Sequence, residues 1–164
     1  MRRNGFEAAK NPILRKLGSI QNRDALLNPD GTLAEWPVAD AIVGNPPFLG
    51  AKWMLDRLGE EYTQALRAIL PDDAPAVNLV TYWFYQAARA VVRGTQRVGF
   101  VATNMIRSPA NVALAKQLYS RAPIRVAWSD EPWVVDGADI RVSIVVCSTH
   151  WQGNRFWPKP LRYL

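Results

Sequence analysis

The sequence predicts an α/β domain built on a mostly parallel β-sheet. The chain has 164 residues, which suits a single domain with a buried core. Hydrophobic residues make up 49% and charged residues 21%, a composition typical of globular proteins. Short apolar runs of strand type alternate with segments of helical periodicity, and alternation of this kind is typical of α/β folds. We therefore expect one domain over residues 1–150 and a C-terminal tail over residues 151–164 that leads out of it.

The strand-like segments are short runs of apolar residues that are bounded by turn-forming residues. They lie at residues 20–27, 40–43, 97–104, 124–128 and 140–148. A loop rich in turn-forming residues, "NPDGTLAEWP", separates the first of them from the second. The segment at 40–43 is read as a buried strand because it is apolar and is followed at once by a polar turn.

Three segments between these strands have the apolar spacing of helices. Residues 59–70 are amphipathic and are followed by Pro71, which closes a helix. Residues 78–94 are apolar nearly all round, as expected of a helix pressed between the sheet and another element, and Gly94 ends them. The third helix begins with Ser108 as N-cap and Pro109 in its first turn, and it extends to about Arg121.

Composition excludes several classes of protein. No apolar run approaches the ~18 residues of a membrane span, and the N-terminus lacks the apolar core of a signal peptide, so we expect a cytoplasmic protein without membrane contact. The single Cys147 lies in a strand-like run, which excludes a disulfide within the chain and favours a core position. The net charge of +6 is compatible with a polyanionic partner. No metal site is expected.

Ligands of wound α/β sheets bind beyond the carboxyl ends of the strands, so the loops at 44–52, 103–108 and 129–136 matter most. The first contains "GNPPF" directly after a strand. Two consecutive prolines stiffen this turn, so the Asn45 side-chain oxygen and the Pro46 carbonyl can face one point while Phe48 covers a flat ring. An amine held by two acceptors has a lone pair that is free to attack an electrophile. A planar group bearing an NH2 is therefore the expected substrate, and no strong base is needed.

The "GNPPF" turn resembles the catalytic motif of the adenine-specific DNA methyltransferases. Further segments, "YWFYQAARAV", "GFVATNMIRSPAN" and "SDEPWVVDGADIRVSIVV", are similar to the methyltransferase part of fused type II restriction-modification enzymes. The resemblance covers most of residues 18–148. It implies methyl transfer from S-adenosylmethionine to the amino nitrogen of a flipped adenine in DNA, on a Rossmann-like class I methyltransferase fold.

The resemblance also implies roles for individual residues. Asn45 and Pro46 would hold the adenine amine, and Phe48 would stack on the flipped base. Asp24 would accept a hydrogen bond from the adenine of the cofactor, and Pro47 would pack near that ring.

Three further residues are assigned to double-stranded DNA. In the family a second hydrophobic side chain often contacts the flipped base, and Trp133 is our candidate for it. Lys52 and Arg107 follow strand ends on the ligand side and are expected to meet phosphates.

Two features of the family are missing from this sequence: the glycine-rich turn after the first strand and the acidic residue after the second. The resemblance therefore implies a partial fold that lacks the first two strands, with an open apolar edge beside Ile42 and Val43. A second polypeptide would supply the cofactor-binding half. Two alternatives remain open here: a truncated, inactive remnant with residual DNA binding, and a methyltransferase acting on nucleotide or RNA amines.

Overall fold

A computed structural model describes residues 18–112, 114, 123–135 and 138–149 of the chain. The described residues form an α/β structure, as predicted. Its strands are β1 (Ala41–Gly44), β2 (Arg97–Thr103), β3 (Ile124–Val135) and β4 (Ala138–Ser148). Its α-helices are α1 (Met54–Leu58), α2 (Glu60–Arg67) and α3 (Leu79–Val92). Two 3₁₀ turns, Ala51–Trp53 and Asn104–Arg107, follow β1 and β2. The predicted tail at 151–164 lies outside the described residues.

The sheet is mixed, so the prediction of a mostly parallel sheet is wrong. Its order is β1-β2-β4-β3; β1 and β2 pair parallel, whereas β4 pairs antiparallel with both β2 and β3. Only residues 136–137 separate β3 from β4 in the sequence. A connection of two residues suits an antiparallel hairpin, whereas a parallel pair needs a crossover of a dozen or more residues.

The prediction of a third ligand loop at 129–136 is also wrong, because its described residues belong to a strand. Strand β3 continues through them to Val135, with a break in its register between Trp128 and Glu131. A β-bulge places extra residues in one strand without ending the ladder, which is why a polar stretch here is compatible with a strand. Thr103 at the end of β2 pairs with Val142 of β4, so β3 and β4 continue beyond β2 as a two-stranded ribbon.

Residues 20–27 do not form the predicted strand. The described residues before β1 are irregular, and their ladder pairing is limited to an isolated bridge between Leu27 and Leu33. A strand needs a neighbouring strand for its backbone hydrogen bonds, and β1, the edge strand of the described sheet, does not pair with this segment. Local turns satisfy the backbone instead: Gly31 N–H donates to the Asn28 carbonyl at 2.9 Å.

Helix α3 lies between two apolar clusters, which confirms the prediction of a helix buried nearly all round. One side packs on the sheet, where Phe84 meets Phe100 edge-on with ring centroids 5.4 Å apart. The other side contributes Leu79 and Tyr82 to a second cluster that contains Leu66 of α2. Burial on both sides explains the predominance of apolar residues along this helix.

Strand β1 forms the edge of the described sheet, as predicted. Val43 pairs with Gly99 and is 82% exposed, while Ile42 is half-buried against the core. The prediction of a buried strand at 40–43 is therefore wrong, because an edge strand of the described sheet leaves alternate side chains exposed. Residues 109–112 are helical, in agreement with the predicted start of the third helix; its predicted end lies outside the described residues. None of the described helices has the length and hydropathy of a membrane span.

Candidate active site at the carboxyl ends of strands β1 and β2

Two loops meet at one edge of the sheet because β1 and β2 run parallel. The first begins at Asn45 and runs into the 3₁₀ turn Ala51–Trp53. The second is the 3₁₀ turn Asn104–Arg107 that follows β2. The carboxyl ends of strands are the usual position for ligands in open α/β sheets. The two loops predicted from the sequence at 44–52 and 103–108 therefore lie side by side.

The residues of the Asn-Pro-Pro-Phe turn are exposed apart from Pro46. Asn45 is exposed and Pro46 is buried, while the Phe48 ring is 40% exposed. Among the described residues, none donates a hydrogen bond to the Asn45 side chain or to the Pro46 carbonyl. Neither predicted acceptor is therefore engaged by another described residue, and the Asn45 side chain is exposed.

The far end of this first loop is tied to the start of α3. Leu79 N–H donates to the Leu49 carbonyl at 2.9 Å, and Ala51 N–H donates to Asn78 Oδ1 at 3.0 Å. These bonds join residues that are 30 and 27 positions apart in the sequence, so they hold the loop in place from outside it. The loop is thus constrained by the prolines at its start and by hydrogen bonds to α3 at its end.

Asn111 links the first loop to the second through the start of α3. It is 1% exposed, and its Oδ1 accepts hydrogen bonds from Thr81 Oγ1 at 2.9 Å and Asn78 N–H at 3.3 Å. Its Nδ2 donates to the carbonyl of Met105, in the second loop, at 2.6 Å. The sequence analysis missed this residue. A signal was present, because Asn111 stands three positions before the buried Leu114 and is therefore polar on an apolar helix face.

The structure brings together Asp24 and Pro47, the two residues assigned to the cofactor. They line one pocket of about 360 Å³. Its other walls include Tyr62, Leu79 and Trp83. Tyr62 and Trp83 were read only as helix residues in the sequence, and no local pattern distinguished them as pocket residues. Arg57 also lines the pocket, so its charged groups are one carboxylate and one guanidinium. Apolar and aromatic walls with a few polar groups form a site suited to a flat heteroaromatic ring.

The Asp24 carboxylate is held in place by three hydrogen bonds. Oδ1 accepts from the N–H groups of Leu26 at 2.7 Å and Leu27 at 2.9 Å, and Oδ2 accepts from the Tyr62 hydroxyl at 2.9 Å. Burial, together with the bond to Asp24, raises the pKa of the Tyr62 phenol well above its usual value, so this hydroxyl remains a donor. A carboxylate offers about four acceptor positions, so one remains for a ligand.

A larger groove of about 800 Å³ shares Asp24, Leu58 and Tyr62 with this pocket. It contains no residue of the Asn-Pro-Pro-Phe turn, and Glu60 and Glu61 line it. Two carboxylates beside Asp24 make this groove unfavourable for a phosphate backbone. The smaller pocket is the one that adjoins the predicted chemistry.

The residues assigned to DNA lie at the same edge of the sheet but do not form a cluster. Lys52 and Arg107 are exposed and belong to the 3₁₀ turns that follow β1 and β2. Trp133 is 38% exposed and lies on the ribbon beyond the end of β2, on a strand rather than in a loop. No ring contact joins Trp133 to Phe48 in the described part of the chain.

A polar cluster ties the ribbon to the second loop. Asn104 Nδ2 donates to Asp130 Oδ1 at 2.6 Å, and Ser143 Oγ donates to Asn104 Oδ1 at 3.1 Å. Asp130 lies at the β3 bulge with a φ of 65°, a left-handed conformation that aspartate tolerates better than most residues. Arg141 donates to the Asp130 carbonyl at 2.8 Å. The start of the ribbon is therefore fixed relative to the second loop, which sequence reasoning did not predict.

Comparison with known proteins identifies the family. The family model of the MmeI DNA-methyltransferase domain matches residues 13–157, which is most of the chain. The chain belongs to this family. Among solved structures, the type IIL restriction-modification enzyme MmeI in complex with DNA matches 67% of this chain at 24% identity with a TM-score of 0.49. The search of curated proteins found no match.

The family match confirms the resemblance to the methyltransferase part of restriction-modification enzymes. The chain spans about 15% of the length of the MmeI chain that it matches.

Proposed function

We propose that this chain supplies the base-binding part of an adenine-specific DNA methyltransferase in a restriction-modification system. The observation that carries the proposal is the Asn-Pro-Pro-Phe turn at the ligand edge, where the Asn45 and Pro46 acceptors are unengaged by described residues. The neighbouring pocket that joins Asp24 to Pro47 supports it. Membership of the DNA-methyltransferase family supports methyl transfer to DNA.

The turn acts by positioning rather than by proton abstraction. The Asn45 side-chain oxygen and the Pro46 carbonyl each accept one hydrogen of the adenine amine. The nitrogen lone pair then leaves conjugation with the ring and points at the electrophile. Phe48 stacks on the flipped base from the side. No histidine stands in residues 44–52 or 103–108, in keeping with a mechanism that begins without a strong base.

The residues of the small pocket fit the adenine end of S-adenosylmethionine. Asp24 has an acceptor position left for the adenine amine, while Pro47 and Trp83 provide apolar walls for the ring. When bound, S-adenosylmethionine supplies the electrophilic methyl group. In this proposal Asp24 orients the cofactor and takes no part in proton transfer.

The proposal assigns only the adenine end of the cofactor to described residues. Gly5, Gly18 and Gly31 are dispersed and do not form the glycine-rich turn that the family uses. We propose that a further segment, in the same protein or in a partner, supplies this turn together with the first two strands of the class I fold. The new strands would lie beside β1, where Val43 is exposed at the edge.

Isothermal titration calorimetry of the chain with S-adenosylmethionine tests whether the chain binds only the adenine end of the cofactor. One hydrogen bond to the adenine is worth ~0.5 to 1.5 kcal/mol net, which is too little for tight binding. We expect a dissociation constant no better than millimolar for the chain alone, and tighter binding after addition of the partner. Micromolar affinity without a partner would contradict the proposed division.

The proposed substrate is double-stranded DNA. Lys52 and Arg107 would bind phosphates on either side of the Asn45 turn, and the exposed Trp133 would contact the flipped base from the ribbon. The net charge of +6 favours a polyanion of this kind.

The identity of the methylated base tests the proposed function. The chain would be expressed together with the coding sequence that adjoins it, and digested DNA would be measured by mass spectrometry. We expect N6-methyladenine, and its loss when Asn45 is replaced by alanine. Methylcytosine as the product, or N6-methyladenine that persists in Asn45→Ala, would contradict the assignment. Absence of any methylated base would favour an inactive remnant.

A further inference from the structure

Exposed apolar side chains are concentrated near the candidate active site. Of nine large hydrophobic residues exposed in the described part of the chain, three lie within residues 48–55, and Met105 stands on the adjoining second loop. The three are Phe48, Trp53 and Leu55. Exposed apolar side chains at the edge of a predicted ligand site are candidates for contact with the ligand.

Trp53 is the aromatic residue of this group that the proposed mechanism does not use. It ends the 3₁₀ turn Ala51–Trp53 and is 51% exposed. The backbone N–H of Trp53 donates to the Gly50 carbonyl at 2.9 Å. The ring lies close to Gly50, since a Cβ atom at that residue would be 3.8 Å from Cδ1 of the indole. The indole is thus supported by its own turn while half of its surface faces solvent.

One cation lies against the Trp53 ring. The Lys52 ammonium lies 5.0 Å from the ring centroid, in cation–π geometry. Arg57 is one helical turn further along α1, with an exposed side chain that reaches Asp56 at 3.5 Å. An exposed ring with one ammonium group beside it matches a partner that is both flat and anionic, which describes a nucleic acid.

We propose that Trp53 stacks on a DNA base that is left without its pairing partner or its stacking neighbour when the target adenine leaves the helix. Lys52 binds the adjacent phosphate. This role differs from that of Phe48, which is assigned to the flipped adenine itself. The inference rests on the proposed function in taking DNA as the substrate. It concerns binding alone and needs no methyl donor.

Fluorescence anisotropy with two labelled duplexes tests the proposal. One duplex is fully paired, and the other carries an abasic site that leaves a single thymine unpaired. We expect the chain to bind the abasic duplex more tightly. Because stacking on an aromatic side chain contributes roughly five- to 150-fold to affinity, Trp53→Ala should weaken binding to the abasic duplex by about tenfold and remove the preference. Trp53→Phe should retain the preference.

Two variants serve as controls. Lys52→Ala should weaken binding to both duplexes equally and lower the salt slope by about one, leaving the preference intact. Val92→Ala removes an exposed apolar side chain at the opposite end of α3 and should change neither affinity. Circular dichroism of each variant establishes that the fold is retained.

An unchanged preference in Trp53→Ala would overturn the proposal. So would a wild-type chain that binds the two duplexes equally, or one that binds neither at low salt. Because no S-adenosylmethionine is present, failure of methyl transfer in the mass-spectrometry experiment leaves this result standing. Conversely, loss of the Trp53 effect would leave the assignment of Asn45 intact.

Discussion

Replacement of Asn111 by alanine should destabilise the domain strongly, because this buried side chain joins the two loops of the candidate site. The substitution removes three hydrogen bonds, to Thr81, Asn78 and Met105. At ~1 kcal/mol net for each bond, with a further ~1 kcal/mol for the Thr81 hydroxyl left buried without its acceptor, the expected loss is about 4 kcal/mol. That is a large part of the ~5 to 15 kcal/mol that stabilises a typical domain.

Urea denaturation followed by circular dichroism measures this loss in the free energy of unfolding. Gln64→Ala is the matched control, since it removes an exposed amide whose hydrogen bond to Glu60 lies on the surface of α2. The control should remain within about 0.5 kcal/mol of the wild type. A loss below ~1 kcal/mol for Asn111→Ala would refute the conclusion that this residue links the loops.

Three further predictions concern the site and the core. Phe48→Ala should weaken capture of the flipped adenine by ~1 to 3 kcal/mol, while Phe48→Tyr retains it; equal 2-aminopurine fluorescence for the alanine variant and the wild type would remove the stacking role. Lys52→Ala and Arg107→Ala should each lower the salt slope of DNA binding by about one, and an unchanged slope for both would return them to ordinary surface positions. Burial raises the pKa of the Cys147 thiol to about 12, so a thiol reagent at pH 8 should label Cys147 only after unfolding. Rapid labelling of the native chain would contradict that burial.

The parts of the fold that could be predicted from the sequence are those specified by local signals. Helix α3 was predicted because its apolar residues continue round the whole helix, and Gly94 marks its end. The turn at Asn45 was predicted because two prolines constrain it within five residues. Neither prediction required knowledge of which segments pair in space.

The parts that could not be predicted depend on contacts between distant residues. Whether residues 20–27 form a strand is decided by the presence of a neighbour, which the segment's own sequence does not specify. The Asp24 carboxylate meets the Tyr62 hydroxyl 38 positions away, and Asn111 meets Thr81 30 positions away. The direction of β4 is different, because it depends on a short connection to β3 that is local in the sequence. The prediction placed residues 129–136 in a loop and so missed the hairpin.

The rate of methyl transfer by Asn45→Ala tests the central claim most directly. The measurement is a single-turnover assay with the chain and its partner together, using labelled S-adenosylmethionine and target DNA. Loss of one of two preorganised acceptors should lower the rate by about two to three orders of magnitude while DNA affinity changes little. A variant that methylates adenine at close to the wild-type rate would show that Asn45 does not hold the amine.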